Sequence, residues 1–274
     1  MALTTMDQIG AAMDTAQRIQ FFKDPVTGVT AGVWRSLWDV AGRPSAGGFL
    51  SAGNARQCSA VFPISVQPYF GNPSGSRASY ALGLSITCDQ PGTVLVYDRL
   101  LEAAFNGSSA TLQTFTYADP TKINARPAGV GITGGSTAPG AGDLWLEARA
   151  TTAAQGCVVN YVSENGIAVT TPTFTPPAGL ASGSMLPIQL FGQDRGVRTI
   201  TSVQPAANMG GTMNLVVLRR IAQVEISAAN IGRSHNVFDL RMPRIADDPC
   251  LAFAFLPAGT STGRLVGSLD VGQG

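Results

Sequence analysis

"TMNLVVLRRIAQVEIS", residues 212–227, decides the class of the fold. Val, Ile and Leu dominate it, apolar and polar positions alternate toward its end, and no glycine or proline interrupts it, which is the pattern of a β-strand. Runs of the same texture recur on both sides: "YALGLSITC" (80–88), "GTVLVYDRLLEAAF" (92–105), "ATLQTFTYA" (110–118), "LWLEARATT" (144–152), "GCVVNYVSE" (156–164), "VRTITSVQ" (197–204), "CLAFAFLP" (250–257) and "GRLVGSLDV" (263–271). Shorter runs at 167–175 and 185–193 fit the same reading. The 32 glycines and 17 prolines supply turns between them. Strands at this spacing, with no amphipathic helices between, predict a mainly β chain built as an antiparallel β-sandwich or jelly-roll-like domain. "LLEAAF" (100–105) also reads as one or two helical turns. No repeat of fixed period is present, which disfavours solenoids and propellers.

The first fifty residues differ. "TTMDQIGAAMDTAQRIQFF" places Ile9, Met13, Ala16 and Ile19 at helical spacing, and Thr5 stands three residues before Gln8, a capping box. "AGVWRSLWDVAGRP" aligns Val33, Trp34, Leu37, Trp38 and Ala41 on one helical stripe, with Gly42 and Pro44 as a stop. A strand reading puts Trp34, Ser36, Trp38 and Val40 on one face instead. "RPSAGGFLSAGNARQ" is small and polar, a linker or loop. The expected organisation is therefore a short N-terminal helical arm and linker at 1–50 and a β-sandwich domain at 51–274. Two of the chain's three tryptophans, Trp34 and Trp38, sit in that arm together with Phe21 and Phe22. These four are candidate interface residues: either they anchor a partner, or they clasp the arm to its own sandwich.

Only 13% of residues are charged, against roughly a quarter in an ordinary soluble domain, and the formal net charge is +1. A surface so poor in charge favours association, unless Ser, Thr, Asn and Gln keep it dispersed. The balance lacks the basic stripe of a nucleic-acid binder, and no apolar stretch reaches the ~18 residues of a transmembrane helix. The start, "MALTTMDQIG", lacks a signal-peptide layout, so a cytosolic origin is expected. Cys58, Cys88, Cys157 and Cys250 show no zinc spacing. Buried thiols are expected in a reducing compartment, with disulfides open to a later stage after release.

Catalytic patterns are sparse. "GTSTG" (259–263) matches G-x-S-x-G around Ser261, but a strand-like run follows it and the only histidine, His235, precedes it. The elbow needs a following helix and a later histidine, so a hairpin loop is the reading. Asp247 and Asp248 would either cap a strand or hold calcium with loop carbonyls. Asp98, Glu102, Asp143, Glu147 and Glu225 are candidates for the two facing carboxyls of a glycosidase, and nothing in the sequence selects a pair. "NGS" at Asn106 reads as a turn, and "AGVGITGGSTAPGAGD" (128–143) as an exposed loop without a P-loop ending. Neither catalytic residues, nor a metal site, nor a cofactor is expected. Trp145, Tyr161 and Tyr69 near Gly-rich segments would suit a carbohydrate- or receptor-binding module.

The segments "AQRIQFFK", "WRSLWDVAGRPSAG", "NPSG", "VLVYDRLL", "LPIQLFGQDRGVRTITSV", "NLVVLRRIAQVEISAANIG", "FDLRMPRIADDPCLAFAFLPAGTSTG" and "GSLDVGQG" span nearly the whole chain in order. Together they resemble tailed-bacteriophage virion structural proteins of the head-associated, capsid-decorating or cementing kind. The resemblance is one of texture and carries over no functional residue. It implies a virion location and two partners, the major capsid protein and copies of the chain itself, most simply as a trimer. A neck, tail or baseplate component is the alternative within the virion. A major shell protein is disfavoured, because no long spine helix is legible after residue 45.

Overall fold

A computed structural model describes residues 5–58, 79–117, 142–149, 153–241, 243–245 and 249–273. Tyr69, "NPSG", Asp247, Asp248 and most of the Gly-rich 128–143 stretch lie outside these residues. Two long strands organise the rest. β6 (Gly92–Asn106) and β13 (Thr212–Ile226) pair antiparallel along their whole length, from Thr212↔Asn106 to Ile226↔Gly92. "LLEAAF" is thus strand, not helix. Its apolar residues run without alternation because β6 is buried on both faces from Val94 to Phe105.

β13 continues through β8 (Asp143–Ala148), β11 (Ser184–Pro187), β2 (Trp34–Ser36) and β16 (Leu251–Pro257) back to β6. Because β6 also pairs β13, these six strands close on themselves as a barrel, with β4 (Ala55–Gln57) extending the edge of β6. Register shifts in the β6–β13 ribbon, at Val217/Leu218 and Arg220/Ala222, mark bulges that add the twist closure requires. The barrel interior is filled by Trp38, Leu95, Tyr97, Trp145, Met185 and Val216, among others.

Two further antiparallel sheets pack on the outside. One has the order β14 (Arg233–His235), β5 (Ser79–Cys88), β17 (Leu265–Gln273), β1 (Gln17–Lys23), β3 (Gly42–Arg43), with β15 (Arg244–Ile245) also on β5. Its Phe21, Leu84, Ile86 and Leu269 meet Val94, Val96, Phe253 and Phe255 of the barrel wall. Phe21 and Phe253 rings lie 4.5 Å apart. The other has the order β10 (Ala168–Thr170), β9 (Cys157–Ser163), β12 (Val197–Pro205), β7 (Gln113–Thr114). Its Val159, Tyr161, Ile200 and Val203 pack on Leu101, Phe105, Leu215 and Val217. The chain is mainly β and antiparallel, with sheets stacked face to face and a short helix at the front, as its sequence predicts.

Of the two expected helices, only the first forms. α1 (Met6–Asp14) carries the reciprocal Thr5–Gln8 capping box and buries Ile9 and Ala12. It ends before Ile19, which belongs to β1. The second stripe, 33–41, is strand β2 followed by turns. Strand pairing explains the difference: Trp34 and Arg35 complete the barrel between β11 and β16, and that tertiary pairing overrides a weak local preference. Leu37 then points into the core outside the barrel and Trp38 into its interior. A cut at residue 50 would remove β1, β2 and β3 from sheets that they complete.

Candidate interaction surface

Of the five carboxylates singled out for acid–base chemistry, Glu225 is exposed on β13 and Asp143 is part-exposed and paired with Arg220 at 2.5 Å, while the other three do not face solvent. Asp98, Glu102 and Glu147 are fully buried. Arg99, equally buried, sits between the two glutamates: its Nη2 donates to Glu147 Oε2 at 2.7 Å and its Nε to Glu102 Oε2 at 3.1 Å. Arg56 Nη2 reaches Glu102 Oε2 at 3.1 Å, and Asn214 Nδ2 donates to Glu147 Oε2 at 3.3 Å. The Arg99 guanidinium also lies 4.8 Å from the Trp38 ring. Burial alone would push Glu147 up. The Arg99 charge and the hydrogen bonds from Arg99, Ser36 and Asn214 outweigh it and hold the carboxyl below its ordinary range. Burial would likewise lower Arg99, but the two glutamates raise it well above the usual value. These charges pair with one another inside the barrel, away from solvent. Charged residues inside the apolar run "VLVYDRLLEAAF" were the signal for such a buried pair.

Lys23 is a second buried charge, 2% exposed at the end of β1. Its Nζ donates to Val40 O at 2.9 Å and Pro44 O at 2.8 Å, tying β1 to the following turn. Burial lowers its pKa to about 8, against smaller upward contributions from Asp39 and Asp24. The unfolded chain holds this proton up to about 10.4. Between those values the unfolded state binds more protons, so this group adds stability as pH rises. We expect the stability difference between wild type and Lys23→Met to grow in favour of wild type from pH 8 to 10.5. At about 1.4 kcal/mol per pKa unit, that growth is at most about 3 kcal/mol, read from urea melts of both proteins. A pH-independent difference would contradict the assignment.

The remaining candidates are placed as follows. Ser261 lies on the link from β16 in the barrel to β17 in the outer sheet, so it is not in a hairpin, because those strands do not pair. It bridges Thr27, and no helix follows it. His235 ends β14 opposite Leu84. Among the described residues no three His, Cys, Asp or Glu side chains converge as metal ligands. Asn106 closes β6 in a turn, its Oδ1 accepting from Ser108 N at 3.0 Å. Trp145 and Tyr161 are not at loop tips: both are buried, in β8 and β9, which removes them as a sugar-stacking platform. Tyr161 Oη instead donates to Asp194 Oδ2 at 2.7 Å and accepts from Phe191 N at 2.9 Å. Phe21 and Trp38 are interior, and Trp34 is half-buried, edge-on to Trp145 at 6.1 Å.

Phe22 is the exposed member of the four, and it marks a surface. Along β1 the residues alternate, with Ile19, Phe21 and Lys23 inward and Arg18, Gln20 and Phe22 outward. The registers place Phe22 beside Val266 and Val266 beside Thr87, then Gln20 beside Ser268 and Ser85, then Arg18 beside Asp270 and Gly83. One end of this open face is therefore apolar, with Arg264 lying 5.9 Å from the Phe22 ring. The other end carries the Arg18–Asp270 pair at 2.8 Å. Beyond it α1 and α2 (Val237–Leu240) close over Leu82. Met6, Met13, Phe22, Ile231, Phe238 and Val266 are exposed on these elements and the turn before β14, whereas Leu112, Ile167 and Phe191 are exposed elsewhere. Among the described residues, six of the nine large apolar side chains left in water thus lie on this outer side. Sequence periodicity missed this, because Phe22 and Val266 become neighbours only through the β1–β17 pairing.

No protein-family model matches this chain, and no curated protein does. Among solved structures, the infectious bursal disease virus VP2 subviral particle overlaps it at a TM-score of 0.16 and 8% identity, covering 95% of this chain and 81% of that one. The structure of infectious bursal disease virus Gt strain gives 0.16 and 11%, covering 94% and 81%. That of the Gx strain gives 0.17 and 10%, covering 96% and 82%. Overlap at this level does not establish a shared fold.

Proposed function

We propose that this chain is a structural protein of a virus particle, decorating or cementing a tailed-phage capsid by bridging neighbouring subunits. The observation that carries the reading is the distribution of its side chains. Three of the five candidate carboxylates, Asp98, Glu102 and Glu147, are held in internal ion pairs, while exposed apolar groups among the described residues collect around the open face of the β1–β17–β5 sheet. Such a patch on a charge-poor surface marks an interaction site. The ordered resemblance of its segments to head-associated virion proteins supports the same reading. Each copy would contribute one modest interface, and repetition over the particle would add these into stability of the shell. The partners are the major capsid protein and other copies of the chain, most simply arranged as a trimer on a local three-fold axis. Phe22 and Val266 would lie at the contact.

The test is electron microscopy of particles carrying this protein, wild type and the Phe22→Ser/Val266→Ser variant. Both substitutions are on the solvent side of the sheet, so the fold is expected to persist.

A further inference from the structure

The edge of β6 opposite β13 is shared by two short strands that approach end to end. β4 runs beside it with Gln57 opposite Leu101, and β16 begins beside it with Leu251 opposite Asp98. The next residue of each strand is a cysteine. Cys58 N donates to Leu100 O at 2.9 Å, and Cys250 O accepts from Arg99 N at 2.9 Å. Cys250 N is further fixed by Asp98 Oδ1 at 2.8 Å. The two cysteines therefore lie end to end along one edge of β6, beside its bulge at Leu100, which lets both face the same side where neighbours in a regular strand would alternate. Neighbours in one strand have Cα atoms about 3.8 Å apart. A disulfide spans about 4.4–6.8 Å, and here no peptide bond prevents the two strand ends from adopting that spacing. Both side chains enter the same interior cluster, with Trp38 and Tyr97. The neighbouring Cys58 side chain, and then burial, push the Cys250 thiol well above its ordinary range.

We propose that Cys58 and Cys250 form a redox clasp, two thiols that a peroxide converts into a disulfide joining β4 to β16 across the barrel wall. One thiol attacks the peroxide, breaking its O–O bond, releasing water and forming a sulfenic acid. The second thiol then displaces the sulfenic oxygen as water, forming the S–S bond. Two cysteine sulfurs are oxidised and one peroxide is reduced to two waters. Cys88 and Cys157 sit in the two other cores, each away from this pair, and remain thiols. Both clasp residues are buried, so the reaction is slow and the clasp closes on prolonged exposure rather than at once. This chemistry is independent of the virion reading.

The experiment exposes the full folded chain to hydrogen peroxide, unfolds it, alkylates the remaining thiols and maps the peptides by mass spectrometry. The expected result is two alkylated cysteines, Cys88 and Cys157, and one peptide linking 58 to 250, reversed by dithiothreitol. The link closes a very long loop of the unfolded chain, so the melting temperature should rise by roughly 10 °C. Cys250→Ala, and separately Cys58→Ala, should abolish link and shift together, while a Cys88→Ala/Cys157→Ala protein retains both. The clasp is overturned if all four cysteines stay alkylatable, if the link involves Cys88, Cys157 or a second chain, or if wild type links without gaining thermal stability.

Discussion

Replacing Arg99 by methionine is expected to cost about 3–5 kcal/mol of folding stability, because it strands the Glu147 carboxylate in the barrel and leaves Glu102 to Arg56 alone. A typical domain has only about 5–15 kcal/mol in total, so the midpoint of a urea melt should move far toward zero denaturant. The melting temperature should fall by roughly 10 °C. The direction with pH provides a second signature. In the wild type, Glu147 is held below its ordinary range. Its contribution is therefore complete above the unfolded carboxylate value near 4.3 and is lost as pH falls through the folded one. In Arg99→Met the same carboxyl has lost its positive partner, and burial would raise it. That variant should regain part of its deficit on mild acidification, as the wild type begins to lose stability. Adding Glu102→Gln and Glu147→Leu to Arg99→Met should recover most of the loss, since apolar replacement of an entire buried cluster is often neutral. A single variant as stable as wild type would show that the network contributes nothing.

Truncation gives the other large effect. Removing residues 1–15 deletes α1 and should leave a folded, cooperatively melting protein, since only the packing of Ile9 and Ala12 against Leu82 and Val237 is lost. Removing residues 1–50 takes β1 and β3 from the edge of β17, and β2 from between β11 and β16. The barrel opens, Trp38 leaves its interior, and the Arg99 guanidinium loses the ring beneath it. Loss of a buried tryptophan side chain alone is worth about 3–5 kcal/mol. Three orphaned strand edges, on β17, β11 and β16, add an aggregation hazard. The longer truncation should therefore be recovered as aggregate, which sedimentation of the expressed protein reads directly. A soluble 51–274 fragment with a sharp melt would instead make residues 1–50 a separable arm.

These outcomes follow from features that differ in how far the sequence displays them. The Thr5–Gln8 capping box and the strand runs are local, and each is legible where it stands. The second stripe, Val33 to Ala41, is also local, yet its four-residue spacing of tryptophans is satisfied equally by a strand followed by a turn. Only the partners β11 and β16, far along the chain, select between the two. Barrel closure depends on pairing Asn106 with Thr212, which no window of sequence contains. The candidate carboxylates are visible as residue types, but nothing local marks Arg99, which lies among them in sequence, as the centre of a buried cluster. The open face is hidden for a similar reason: alternation along β1 says that Phe22 points out, and the β1–β17 register is needed to put Val266 beside it.

Whether this chain works through surfaces shared between subunits is measured most directly by imaging particles at a resolution that traces the chain. Wild-type protein should appear as many symmetry-related copies on the outer shell, with Phe22 and Val266 covered by a neighbouring subunit. The Phe22→Ser/Val266→Ser protein should be folded and absent from the particle. Particles that lack this chain altogether, or that carry it with the Phe22–Val266 face open to solvent and the variant bound as well as wild type, would contradict it.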